Sequence, residues 1–150
     1  MPSVSARKAR KANLASPEGV LQMVGERLST FLGLSRCNFS EVDEGADRIT
    51  ALYDWRRDPD APSVLGEHKV STFLSPQARL CYAAGWPGVV QDVYTDPSIA
   101  APPQLMDVLH IRSVVEVPYL EGGRWKFLVS ICRSEPGKGT VAVVRLELAP

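Results

Sequence analysis

The chain is poor in cysteine, histidine, long apolar runs and net charge, and each shortage removes a class of function. No apolar stretch approaches the ~20 residues of a membrane span. None follows Arg7, Lys8, Arg10 and Lys11 within the reach of a secretory signal, so a cytoplasmic protein is expected. Lys plus Arg equals Asp plus Glu at 17 each, so no overall field favours nucleic acid or an anionic membrane as partner. Cys37, Cys81 and Cys132 are odd in number and far apart. Without a Cys-x-x-Cys pair they suggest neither a disulfide framework nor a zinc site, and each is expected to pack as a small apolar residue. His68 and His110 stand alone, without the spacing to other ligands that a metal needs. No Gly-x-Ser-x-Gly string places a nucleophile, and Gly137-Lys138-Gly139 lacks the spacing of a phosphate loop. No residue is given a catalytic or metal-binding role.

What is present is an ordinary globular composition, with 45% apolar and 23% charged residues, in a length that suits one core. Residues 1–15 are Ser, Ala, Arg and Lys with little to bury, and read as a flexible basic arm. Ser16 and Pro17 then give an N-cap and first helical position. Leu21, Val24, Leu28, Phe31 and Leu32 recur at helical spacing as one apolar stripe, and Gly33 stands where a left-handed cap belongs. The period next becomes alternating. Cys37 and Phe39 face one way, a turn follows at Asp43-Glu44-Gly45, and Ile49, Ala51, Tyr53 and Trp55 share one face of a second strand. Val64 to Val70 is a weaker strand.

Ser75-Pro76 repeats the helix-start signal ahead of Ala78, Cys81 and Tyr82. Val89, Val90 and Val93 form an extended piece, and Leu105, Val108 and Leu109 a short helix. Last comes a hairpin: Val115, Val117 and Tyr119, a Gly122-Gly123 turn, then Trp125, Phe127, Val129 and Ile131 on one face. These elements predict an α+β domain around an antiparallel sheet.

Three strings in this order resemble the GAF family. Val24 to Cys37 resembles its first helix running into its first strand. Val89 to Pro97 resembles a strand and the loop toward its pocket, and Ile111 to Pro118 its central strands. The match covers roughly residues 17–135 and is nearest to GAF domains of bacterial sensor histidine kinases. It implies a GAF/PAS-like antiparallel sheet of five to six strands, with helices on one side and a helix-loop cap on the other. On this reading residues 16–136 are the GAF domain. Residues 137–150 are an atypical tail, because Val144, Leu146 and Leu148 alternate where the family has an output helix.

The resemblance also implies a small ligand under the cap, of unspecified identity, and a signal passed to a histidine kinase or other signalling protein. A homodimer through residues 17–33 is expected. The alternatives are a ligand-free dimerisation scaffold or an enzyme like free methionine sulfoxide reductase; the second is disfavoured because Leu109 to Ser113 lacks the reactive cysteine of that branch. The ligand-contact candidates are Phe73, Tyr94 and Leu105 as lining, Asp92 and Asp96 at the cap entrance, and Arg112 for an anionic group. Cys81 is the thiol facing the cavity. Asp96-Pro97 equally suits a turn that binds its own backbone, and Arg112 a salt bridge to a neighbouring Asp.

Overall fold

The computed structural model describes residues 16–137. The expected basic arm and all but the first residue of the expected tail lie outside them. The first helix, α1 (Pro17–Leu32), starts where Ser16 accepts a hydrogen bond from the Gly19 amide, and stops at Gly33 with φ of 66°. Both ends are therefore set locally, by a side-chain cap and by a backbone conformation open to glycine.

Among the described residues six antiparallel strands follow: β1 (Arg36–Asp43), β2 (Arg48–Arg56), β3 (Gly66–Lys69), β4 (Gly88–Val90), β5 (Ser113–Glu121) and β6 (Arg124–Arg133). Their order across the sheet is β3-β2-β1-β6-β5-β4. A two-residue turn at Gly122 and Gly123, with φ of 59° and 77°, joins β5 to β6. Such a turn matches the twist of the strands it connects.

Helix α1 lies on one face of this sheet. Gly25 makes the approach possible, since a Cβ there would sit 3.0 Å from Cβ of Trp55. The core on that side gathers Leu34, Cys37, Val115 and Ile131, with Leu28, Leu32 and Trp55 against them. The opposite face is covered by short helices α2 (Val70–Phe73), α3 (Pro76–Ala83) and α4 (Pro103–Val108) and their loops. Ser75 caps α3 by accepting from the Ala78 amide. Asp47 holds the start of α2, accepting from the Ser71 amide at 3.0 Å, and pairs with Arg79 of α3 at 3.2 Å.

Three expectations are corrected. Tyr53 and Trp55 do not share a face with Ile49 and Ala51: Ser40 pairs with Ala51 and Phe39 with Tyr53, so Leu52 is an extra residue in β2. Trp125 likewise parts from Phe127, Val129 and Ile131, because Lys126 is extra between the pairs Tyr119–Phe127 and Leu120–Trp125. A β-bulge of this kind reverses the alternation beyond it. Trp55 thus packs under α1, while Trp125 joins Val42, Leu74, Tyr82 and Leu128 on the capped side. The apolar stripe of α1 also divides, for Val24 and Phe31 are exposed with Val20 while Leu28 and Leu32 face the sheet.

One ion pair ties the two halves of the capped side together. Arg36, buried in β1, donates from Nη1 to Asp54 of β2 at 2.6 Å, with both side chains out of solvent. Its other donors reach the carbonyls of Leu109 at 3.3 Å and Pro62 at 2.7 Å. Asp54 in turn accepts from the Val64 amide at 2.9 Å. Replacing Arg36 by Met leaves the buried Asp54 only the more distant Arg56, at 3.9 Å, as a cation, which costs roughly 3 kcal/mol. Denaturant titration of Arg36→Met is expected to show a loss of that order; a loss below ~1 kcal/mol would show that the pair does not anchor the fold.

Candidate functional site

Between the sheet and its cap lies a cavity of about 90 Å³. Its floor is the capped face of the sheet: Asn38 and Ser40 of β1, Ile49 and Ala51 of β2, Val114 and Glu116 of β5, and Leu128, Ser130 and Cys132 of β6. Val70, Phe73, Leu74, Ile99, Met106 and Leu109 form most of the roof. The bulge at Leu52 gives the floor its shape, since it turns Ile49 and Ala51, and not Tyr53 and Trp55, toward the cavity.

Glu116 is the chemically distinctive group. It is 7% exposed and sits on β5 opposite Ser130 and Gly88. Tyr82 of α3 donates to its Oε1 at 3.3 Å, and Ser130 to its Oε2 at 3.1 Å. Gly88 permits the first of these bonds, because a Cβ at that position would fall 2.1 Å from the Tyr82 hydroxyl. Burial raises the Glu116 carboxyl to about 7, and the two hydroxyl donors only partly oppose it. Burial, reinforced by the charge of Glu116, also pushes the Tyr82 phenol up. His68, at the cavity wall, hydrogen bonds through Nε2 to the Val64 carbonyl at 2.7 Å and meets Phe73 edge-on.

Of the candidates from the sequence, Phe73 lines the cavity. Leu105 packs instead beside Val90, Val93 and Ala101, while its helix neighbours Met106 and Leu109 take the cavity positions. Cys81 points to solvent; on α3 it is Ala78 and Tyr82 that turn inward. Asp92, Tyr94 and Arg112 do come together, but with one another. Arg112 binds both carboxylate oxygens of Asp92 at 2.9 and 3.0 Å and lies 3.9 Å over the Tyr94 ring. Tyr94 also donates to Asp107. The guanidinium beside Asp92 holds that carboxyl below its usual range. Asp96 accepts from the Ser98 amide and hydroxyl at 2.9 and 2.7 Å, forming the Asx-type turn. Asp92, Tyr94 and Arg112 thus bind one another and Asp96 its own turn, all four outside the cavity lining.

Glu116 escaped the sequence reading, although a signal was there. Val115, Val117 and Tyr119 face one way, so Glu116 had to share the opposite face with Val114, the one charged residue between Val114 and Leu120. No helix among the described residues is long and apolar enough to cross a membrane. Among those residues no group of three His, Cys, Asp or Glu side chains could hold a metal ion.

The raised carboxyl has a thermodynamic consequence. Between pH 4.5, where an ordinary glutamate ionises, and about 7, the folded chain keeps a proton that the unfolded chain has lost. Its stabilising contribution is full below the unfolded value and is lost as the pH rises through 7, a change of about 3 kcal/mol. Denaturation between about pH 5 and pH 8 should therefore show stability falling with pH, and Glu116→Gln should flatten that slope. An equal slope in the variant would remove Glu116 as its source.

No known family's sequence pattern matches the chain, and no curated protein does. Solved structures do resemble it. The phycoerythrobilin-bound GAF domain from a cyanobacterial phytochrome superposes with a TM-score of 0.66 at 14% identity, over 97% of this chain and 90% of that one. The GAF domain of a phosphoenolpyruvate-protein phosphotransferase from Coxiella burnetii gives 0.60 at 19% identity, over 95% and 85%. Free methionine-R-sulfoxide reductase from Neisseria meningitidis, solved with its substrate, gives 0.62 at 19% identity, over 93% and 78%. Six antiparallel strands with α1 behind them and a helix-loop cap in front give this chain the fold of a GAF domain.

Proposed function

We propose that this chain is a sensory and regulatory module that binds a small ligand between its sheet and cap. The observation that carries the reading is the cavity itself, enclosed by apolar roof residues over a floor holding one buried carboxylate. Roughly 300–1,000 Å³ is usual for a drug-sized ligand, so about 90 Å³ suits only a very small molecule. A linear tetrapyrrole of the kind held by the phytochrome neighbours far exceeds that space. Ligand occupancy would bias a two-state equilibrium by preferring one arrangement of cap and helix, an effect of order 1–3 kcal/mol. The setting is bacterial signal transduction in the cytoplasm, with a histidine kinase or other signalling protein as the output partner.

The second reading is a dimerisation scaffold. It is favoured by Val20, Val24 and Phe31, which are exposed on α1, Phe31 to 82%. The two readings meet if the dimer forms through residues 17–33 and occupancy alters it. Redox catalysis has less to support it. Burial pushes the Cys37 thiol up to about 11 and raises Cys132 as well, which leaves little reactive thiolate at either.

Native mass spectrometry of the full chain purified from its own host is expected to show a small mass excess that disappears on denaturation. A bare dimer would sink the ligand reading in favour of the scaffold. Light scattering is expected to give a dimer for the wild type and a monomer for the double variant Val24→Glu, Phe31→Glu. A double variant that still dimerises would move the interface away from α1.

A further inference from the structure

The same cavity carries enough chemistry to name a ligand class, an inference that rests on its being a binding site. Among the described residues that line it, Glu116 is the one carboxylate, and none is Lys or Arg. Its two bonded partners are the hydroxyls of Tyr82 and Ser130, neither of them a cation. A carboxylate offers about four lone-pair sites, so two hydroxyl donors leave acceptor capacity over. His68 is engaged at Nε2 with the Val64 carbonyl, 2.7 Å away. The roof, by contrast, is hydrocarbon from Val70, Leu74, Ile99 and Met106. Desolvating an anion in such a place is costly unless a cation joins it.

We propose that the cavity takes a small aliphatic amine as its ammonium cation, with the nitrogen on the Glu116 carboxylate and the short hydrocarbon body under the roof. Size fixes the scale. A cavity of roughly 150 Å³ accommodates benzene, so about 90 Å³ suits an amine the size of propylamine. An anionic ligand would meet the ionised Glu116 without a Lys or Arg to balance it, and a much longer amine would exceed the space.

The test uses NMR titration of the full-length protein with propylammonium, 1-propanol, propionate and xenon, read at the methyl groups of Val114 and Leu128. Propylammonium is expected to saturate with at least tenfold higher affinity than 1-propanol, and propionate not to bind. An alkylammonium stays protonated up to a pH of about 10, so its affinity should rise roughly tenfold from pH 6 to pH 8 as Glu116 ionises. Glu116→Gln should bring propylammonium down to the level of 1-propanol and abolish that pH dependence. His68, Tyr82 and Cys132, the other titratable groups around the carboxylate, remain in the variant. A measurement without any variant stands beside it: the Glu116 carboxyl ¹³C resonance of the wild type should titrate at lower pH when propylammonium is saturating.

If 1-propanol binds as well as propylammonium, or the Glu116 midpoint does not move, the amine is overturned while the cavity remains a site. If propylammonium, 1-propanol and xenon all leave the cavity methyls unperturbed, the ligand-binding reading falls with it.

Discussion

The capped half of this molecule depends on a buried ion pair. Short helices and loops cover the sheet there, packing Val70, Leu74, Tyr82 and Met106 onto it, and apolar packing of this kind has no direction of its own. Arg36 supplies the constraint. One guanidinium joins β1 to Asp54 of β2, to the carbonyl of Leu109 at the end of α4, and to the carbonyl of Pro62 in the loop before β3. A planar group with five donors suits this better than an ammonium would, because its contacts diverge in fixed directions. Leu109 and Val64 both belong to the cavity wall, so the geometry of the ion pair sets the geometry of the cavity.

Within that frame Glu116 has a different character from Asp54. Asp54 has a cation and a backbone amide, whereas Glu116 has two neutral hydroxyls and open space. One acid holds the fold through Oδ2 alone, its Oδ1 buried without a partner; the other has a neutral donor on each oxygen and no Lys or Arg beside it in the cavity lining. Groups of the second kind are commoner at functional sites than in plain cores. The glycine at position 88 points the same way, since its missing side chain lets the Tyr82 hydroxyl reach the carboxylate.

Much of the fold was legible because its signals are local. Ser16-Pro17 and Gly33 bound α1, Ser75-Pro76 opens α3, and Gly122-Gly123 turns the last hairpin, each through the conformational needs of a few adjacent residues. What could not be read depends on pairing across the sheet. Leu52 and Lys126 look like ordinary alternating residues, and only their partners on β1 and β5 reveal them as extra. The helix α2 was missed because four residues, Val-Ser-Thr-Phe, are too few to show a period. The site was less legible than the fold. Charged residues near the expected cap entrance drew the eye, yet Asp92 and Arg112 satisfy one another. The acid that faces the cavity was hidden among valines.

The two bulges also bear on how such a chain can change over generations. A one-residue insertion or deletion in a regular strand exchanges its inside and outside and is usually ruinous. Here Leu52 and Lys126 already stand outside the ladder, so losing either would leave most strand pairing intact. Because the pairs on either side keep their partners, Trp55 would stay under α1 and Trp125 on the capped side. Length variation at these two points is thus of the kind the sheet can absorb, since one residue comes or goes while both layers keep their occupants. The side chains beside Glu116 can then keep their places among descendants whose strands differ in length.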